Sequence, residues 1–223
     1  MILFAIILGL FPSFAWLFFF LREDSKNPEP RNLIVYVFVA GAAVTLIAIY
    51  AELFFQNAIT SIGFAVYGAA SMLGLAFIEE FFKFGAVYLT VRKRAEFDEP
   101  VDAMIYMVVA ALGFAAVENI AAVSGVFKGT ASLADIFQIT TLRFIGATLL
   151  HSLASAALGY YWALGIAKNK VVKFIAIGLI MATLLHALFN YLILSFEPEF
   201  YPTLFLVALA LFIFVDFEKL KRV

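Results

Sequence analysis

The sequence predicts an all-α, polytopic membrane helix bundle of about seven transmembrane helices, N-terminus outside and C-terminus cytoplasmic. Three observations carry that expectation. Hydrophobic residues make up 65% of the chain and charged residues only 14%, well beyond what a water-soluble domain of 223 residues needs. The apolar residues fall into runs of about 20, the length of a helix crossing hydrocarbon. Lys and Arg concentrate in alternate connectors, which is the positive-inside pattern.

The spans follow in order. The first, 2–21, opens on "MILFAIILGLFPSFAWLFFFL" without a basic leading segment or a small-residue cleavage site, so it is expected to be a retained helix and not a signal peptide. The polar connector "REDSKNPEPRN" separates it from 33–54, and the weakly polar "FQNAITS" separates that from 62–91. "RKRAEFDEP" precedes 101–124, and "GVFKGTASLADIFQ" leads into 139–167. "KNK" and "FEPEFYP" delimit the last two spans, 171–195 and 201–217. Loops one, three and five and the C-terminus hold Arg22, Lys26, Arg31, Arg92, Lys93, Arg94, Lys168, Lys170, Lys173, Lys219, Lys221 and Arg222, whereas loop four holds only Lys128. That alternation places the basic loops in the cytoplasm and demands an odd number of spans. The whole chain, 1–223, reads as one integral membrane domain, with its chemistry concentrated in about 62–195.

Composition also excludes several functions. With no cysteine there is no disulfide, thiol nucleophile or Cys-ligated metal. Net charge is −1, so no basic footprint invites nucleic acid, and none is expected as a partner. No HExxH or GxSxG motif is present.

The ionisable residues that fall inside the spans are few: Glu79, Glu80, Lys83, Glu118, Arg143, His151 and His186. Glu52 falls near an outer end, where water can solvate it. Each charge at the bilayer centre costs about 2.5–3.5 kcal/mol on insertion scales, so such groups imply mutual partners or a wet cavity. Glu79 and Lys83, spaced i,i+4, form a natural helical ion pair, and Arg143 is placed to snorkel. The group as a whole exceeds what structural pairing needs, because the depths converge. At 1.5 Å per residue Glu80 lies about 18 Å, Glu118 about 25 Å and His186 about 22 Å from the inner ends of their helices. His151 lies about 18 Å from the outer end of its own. Four helices thus bring carboxylates and imidazoles to the middle or outer half of the membrane. Asn190 shares a face with His186, Ser155 with His151, and Phe114 with Glu118. Runs of small residues, such as "VAALGFAAVENIAA" and "LASAALG", permit close helix packing around them.

Two adjacent, desolvated carboxylates beside a lysine suit one glutamate to general-base duty while another is held by the ion pair. His151 and Ser152 are neighbours about 100° apart on a helix, poor geometry for a nucleophilic dyad. What remains is water activated by glutamate, with His and Asn holding the oxyanion, or a zinc-like divalent metal held by Glu79 or Glu80 with Glu118, His151 and His186. Spacing across separate helices does not separate these routes. A proton-coupled transporter built on a Glu/His relay is the alternative in another class, and a scaffold with a merely structural polar core is a third.

"EEFFK", "FAAVEN", "HSLAS" and "HALFN", in that order on successive helices, resemble the motifs of the PrsW family of intramembrane proteases, related to the CAAX prenyl protease superfamily. The resemblance runs from Phe77 to Asn190. It implies an EExxK motif at Glu79, Glu80 and Lys83, a Phe and Glu four apart at Phe114 and Glu118, and histidine motifs at His151 and at His186 with Asn190. In the CAAX branch the second motif ends in histidine and metal-free, glutamate-activated water is favoured; here that position is Glu118. PrsW-like proteins are described as metalloproteases. Their expected substrates are single-pass membrane proteins, such as anti-sigma factors, cut near the outer face. The resemblance implies the plasma membrane of a bacterium or archaeon. Within the glutamate pair the resemblance favours Glu79 as the base, whereas helical spacing pairs Glu79 with Lys83 and frees Glu80. The catalytic set expected on these grounds is Glu79, Glu80, Lys83, Glu118, His151, His186 and Asn190.

Overall fold

The computed structural model describes residues 2–23, 27–127, 133–196 and 200–221. Among them are eight helices and no strand: α1 (Ile2–Phe20), α2 (Arg31–Ser61), α3 (Ala69–Val91), α4 (Asp102–Phe127), α5 (Leu133–Ile145), α6 (Ala147–Ala167), α7 (Val171–Ser195) and α8 (Phe200–Leu220). The chain is a polytopic membrane helix bundle. Among the described residues five segments are long and apolar enough to cross a membrane by length and composition: Arg31–Ser61, Asp102–Gly125, Asp135–Ala167, Val171–Ser195 and Phe200–Leu220. α3 is of spanning length, about 1.5 Å for each of its 23 residues, but carries Glu79, Glu80 and Lys83 mid-helix.

The expected elements are present, with two differences. The span expected over 62–91 starts only at Ala69, and α2 instead runs on to Ser61. Gly63, at φ 93°, takes the left-handed turn that ends α2, and "IGFAVYG" then forms an apolar connector that hydropathy reads as helix. The span expected over 139–167 is two helices. The chain breaks at Gly146 (φ −92°, ψ −93°), where an added Cβ would lie 2.7 Å from the Leu142 carbonyl oxygen.

α4 lies at the centre. Every residue from Val101 to Ala116 is buried, as an all-round apolar helix requires, and α1, α2 and α6 pack around it. Small residues set that packing. A Cβ on Gly113 would stand 2.0 Å from the Phe38 carbonyl oxygen, and one on Gly41 2.1 Å from that of Ala110. Thr45 Oγ1 meets the Phe114 carbonyl one turn further along both helices, so α2 and α4 run side by side in the same direction. α6 returns into α7 through a turn in which Asn169 is left-handed (φ 51°) and Lys170 N–H donates to the Gly165 carbonyl. α3 packs between α2 and α7. The outer surface is apolar, with Leu3, Phe54, Leu89, Val172 and Phe212 among its exposed side chains, as a lipid-facing surface should be.

Candidate functional site

The motifs of α3, α4, α6 and α7 meet in one buried cluster. Adjacent residues on a helix point about 100° apart, yet both glutamates of α3 reach it because Lys83 lies a turn later and between them. Its Nζ is 2.8 Å from Glu80 Oε1 and 3.2 Å from Glu79 Oε2. The same ammonium lies 2.7 Å from His151 Nδ1 and 4.5 Å from the centre of the Phe114 ring. Phe114 of the "FAAVE" segment is therefore a cation–π floor under the lysine, and its ring also meets that of His151.

Partner chemistry fixes where the imidazole protons sit. An ammonium only donates and a carboxylate only accepts. His151 Nδ1, facing Lys83, is thus an acceptor, and its Nε2–H donates to Glu118 Oε2 at 2.9 Å. His186 Nδ1–H donates to Glu80 Oε1 at 2.9 Å. The other nitrogen of His186, Nε2, faces Glu79 Oε2 at 3.8 Å and carries the lone pair when the ring is neutral; His151 Nδ1 lies 3.6 Å from the same oxygen.

The two glutamates are consequently unequal. Glu80 is fully buried and accepts from Lys83, His186 and Ser155, whose Oγ–H donates at 2.7 Å. Glu79 retains 8% exposure and among the described residues has Lys83 as its one hydrogen-bond donor. Helical spacing pairs Glu79 with Lys83, but the closer ion pair is that of Glu80.

Glu79, His151 and His186 form a group whose ligand atoms lie within 4.8 Å of one another. Two imidazoles and a carboxylate, with a further position open, are a donor set for catalytic zinc. Each histidine is also backed by a carboxylate on its second nitrogen, the arrangement that orients metal-binding imidazoles. Charge points the same way. Glu52 on α2 feels the charges of Glu79, Glu118, Lys83 and His186 and makes no hydrogen bond or ion pair among the described residues. Among the described residues Glu79, Glu80 and Glu118 face Lys83 and Arg143, so with both imidazoles neutral these three carboxylates are one positive charge short. The residues fit a divalent cation, which would take the His151 lone pair that Lys83 now shares.

Not every expected site residue sits where expected. Glu118, considered above as a ligand, stands behind His151 and bonds Arg143 Nη2 at 3.2 Å. Arg143 turns inward and does not snorkel; its Nε–H also donates to Asn119 Oδ1. Asn190 is half-buried on α7 and makes no hydrogen bond to the cluster among the described residues. Sequence reasoning missed Asn119, which follows Glu118 but points about 100° away; its partners come from the neighbouring α5 (Arg143) and α6 (Thr148). It also placed Glu52 in the solvated zone, because the length of α2 beyond residue 54 was hidden.

A family model described as PrsW family intramembrane metalloprotease matches residues 29–216. The chain is 30% identical over 206 residues to Protease PrsW of Geobacillus kaustophilus, covering 90% of this chain and 85% of that one. It is 27% identical over 204 residues to Protease PrsW of Bacillus subtilis (89% and 87% covered), and 25% identical over 219 residues to that of Clostridioides difficile (97% and 90%). No solved structure matches.

Proposed function

The chain belongs to the PrsW family of intramembrane metalloproteases, and on that premise we propose that it hydrolyses a peptide bond of a single-span membrane protein at the cluster around Glu79. It is a membrane-embedded peptidase by family; the substrate, the residues and their roles are our reading. The observation that carries it is the direction of the lone pairs. Every proton of the cluster is already engaged: those of Lys83 by Glu79, Glu80 and His151, that of His151 by Glu118, and those of His186 and Ser155 by Glu80. Facing the centre are an oxygen of Glu79, Nε2 of His186 and Nδ1 of His151, whose lone pair Lys83 now holds.

Those three atoms would hold a divalent cation, which when bound supplies Lewis acidity for the carbonyl and activates water. The chain does the rest. Glu80 and Glu118 hold the two imidazoles by their far nitrogens. Lys83 and Phe114 keep positive charge beside the carboxylate pair. In hydrolysis the water oxygen joins the carbonyl carbon, the C–N bond breaks, and a proton from the water must reach the departing nitrogen. Glu79 and, from α2, Glu52 are the carboxylates not committed to a histidine, and they are the carriers available. An oxyanion role for His186 and Asn190 loses support, since the His186 proton is on Glu80 and Asn190 does not join the cluster.

The families of the curated relatives leave no place for the transporter alternative, since each is named a protease. The test is reconstitution of wild type, Glu79→Gln and Glu80→Gln with a panel of isotopically labelled single-span proteins, with and without a chelator, read by mass spectrometry. We expect a product from wild type alone, lost to the chelator and restored by zinc. Near wild-type cleavage by both single variants would end this reading.

A further inference from the structure

We propose that Arg143, acting with Asn119, is a positioning residue for the site: it holds Glu118 against His151 Nε2 and so keeps His151 Nδ1 aimed at Glu79. This rests on His151 being a donor of the site, as argued above.

The geometry begins with one oxygen. Glu118 Oε2 accepts from both Arg143 Nη2, at 3.2 Å, and His151 Nε2, at 2.9 Å. Arg143 precedes the break at Gly146 and His151 follows it, so this carboxylate staples α5 to α6 across the break. Arg143 Nε–H donates in turn to Asn119 Oδ1, and Asn119 Nδ2–H to Thr148 Oγ1 at 3.0 Å on the first turn of α6. The staple thus closes on itself through three helices.

A clamp is needed here because Glu118 is the loosest carboxylate holding a site histidine. Its side chain is 27% exposed, whereas that of Glu80, behind His186, is 0% exposed. Glu80 is also held by Lys83 and Ser155, whereas among the described residues Glu118 has only Arg143 beyond its histidine. Without the guanidinium, a carboxylate at the wet rim gains more from water than from a neutral imidazole. The His151 ring would then lose the partner that sets its orientation. Arginine suits the task because its planar fork gives two donors in fixed relation, one for Glu118 and one for Asn119. Snorkelling would have used neither.

The experiment exploits the chain's having only two histidines. Protein labelled with 15N-histidine in bilayers gives two imidazole patterns, assigned with His186→Gln, and needs neither metal nor substrate. We expect wild-type His151 protonated at Nε2 and His186 at Nδ1, both slow to exchange with water. In Arg143→Gln the His151 Nε2–H should exchange at least about tenfold faster, with Arg143→Lys in between and His186 unchanged; that scale is a lost charge-assisted hydrogen bond. An unchanged His151 signal, or equal loosening of both histidines, would overturn the proposal. Zinc affinity is the second readout. Removal of an outer partner of a metal-binding histidine weakens binding about 10–100-fold, and in a Glu118→Gln background Arg143→Gln should add nothing. Equal weakening in both backgrounds would mean a general structural role and refute action through Glu118. If wild type binds no divalent cation, the metal reading fails, while the exchange of His151 still decides the clamp.

Discussion

Glu79→Gln and Glu80→Gln are the same chemical change one residue apart, and the structure predicts different consequences. Glu80 is fully buried, with Lys83 at 2.8 Å, His186 at 2.9 Å and Ser155 at 2.7 Å. Removing its charge leaves the buried ammonium to Glu79 alone, and the new amide N–H₂ must face a donor. Breaking a buried ion pair from one side costs about 3–5 kcal/mol. Because Glu79 still stands 3.2 Å from Lys83, we expect the lower end, about 3 kcal/mol, or more than about 100-fold in the unfolding equilibrium. Glu79 has that one hydrogen bond and a partly exposed side chain. Its loss leaves Lys83 paired with Glu80, so about 1 kcal/mol is expected, in the range of a single net hydrogen bond. The assay is denaturant-titrated unfolding in mixed micelles, followed by tryptophan fluorescence of the metal-free protein. Both variants should be inactive, but only Glu80→Gln should be clearly destabilised. If Glu79→Gln were the less stable of the two, the division into a holding and a reacting carboxylate would be wrong.

Other outcomes follow from single contacts. Lys83→Met removes the ammonium from between two carboxylates, so it should cost about 3–5 kcal/mol without metal. Added zinc should recover more stability in this variant than in wild type; equal recovery would show that ammonium and metal do not share lone pairs. Gly113→Ala puts a Cβ 2.0 Å from the Phe38 carbonyl oxygen and should cost about 1–3 kcal/mol, the scale of overpacking; unfolding at the wild-type midpoint would mean that α2 and α4 are further apart. Asn190→Ala should lower cleavage by less than about tenfold, since the side chain makes no hydrogen bond to the cluster and its loss should not exceed one net hydrogen bond. A loss of several hundredfold in kcat would restore it to the reacting groups.

Much of this was legible in one dimension. Depth along a helix is arithmetic, so Glu80, Glu118, His151 and His186 could be placed at a similar level before any contact was known. The break at Gly146 was not legible: "RFIGAT" has no proline, and hydropathy does not report φ and ψ. The connector after Gly63 is apolar, so it merged with α3, which also concealed how close α2 brings Glu52. The partners of Glu118 were beyond reach for a different reason. Whether a carboxylate between two histidine helices ligates a metal or backs an imidazole depends on which ring nitrogen faces it. Sequence spacing carries no information on that. Arg143 likewise reads as a snorkelling residue until the position of α5 beside Asn119 is known.

The choice between Glu79 and Glu80 finally turns on access, which neither the family motif nor helical spacing describes. Side-chain exposure falls from 27% at Glu118 to 11% at Glu79 and to 0% at Lys83 and Glu80. The cluster is therefore most open on the side of Glu118 and Arg143, and it is closed behind Glu80 by Ser155 and His186. A peptide carbonyl arriving by that route reaches Glu79 and the lone pairs of His151 and His186 before it could meet Glu80. The less buried carboxylate of the pair is thus also the one proposed to react; the deeper carboxylate is the one whose removal should be felt in stability.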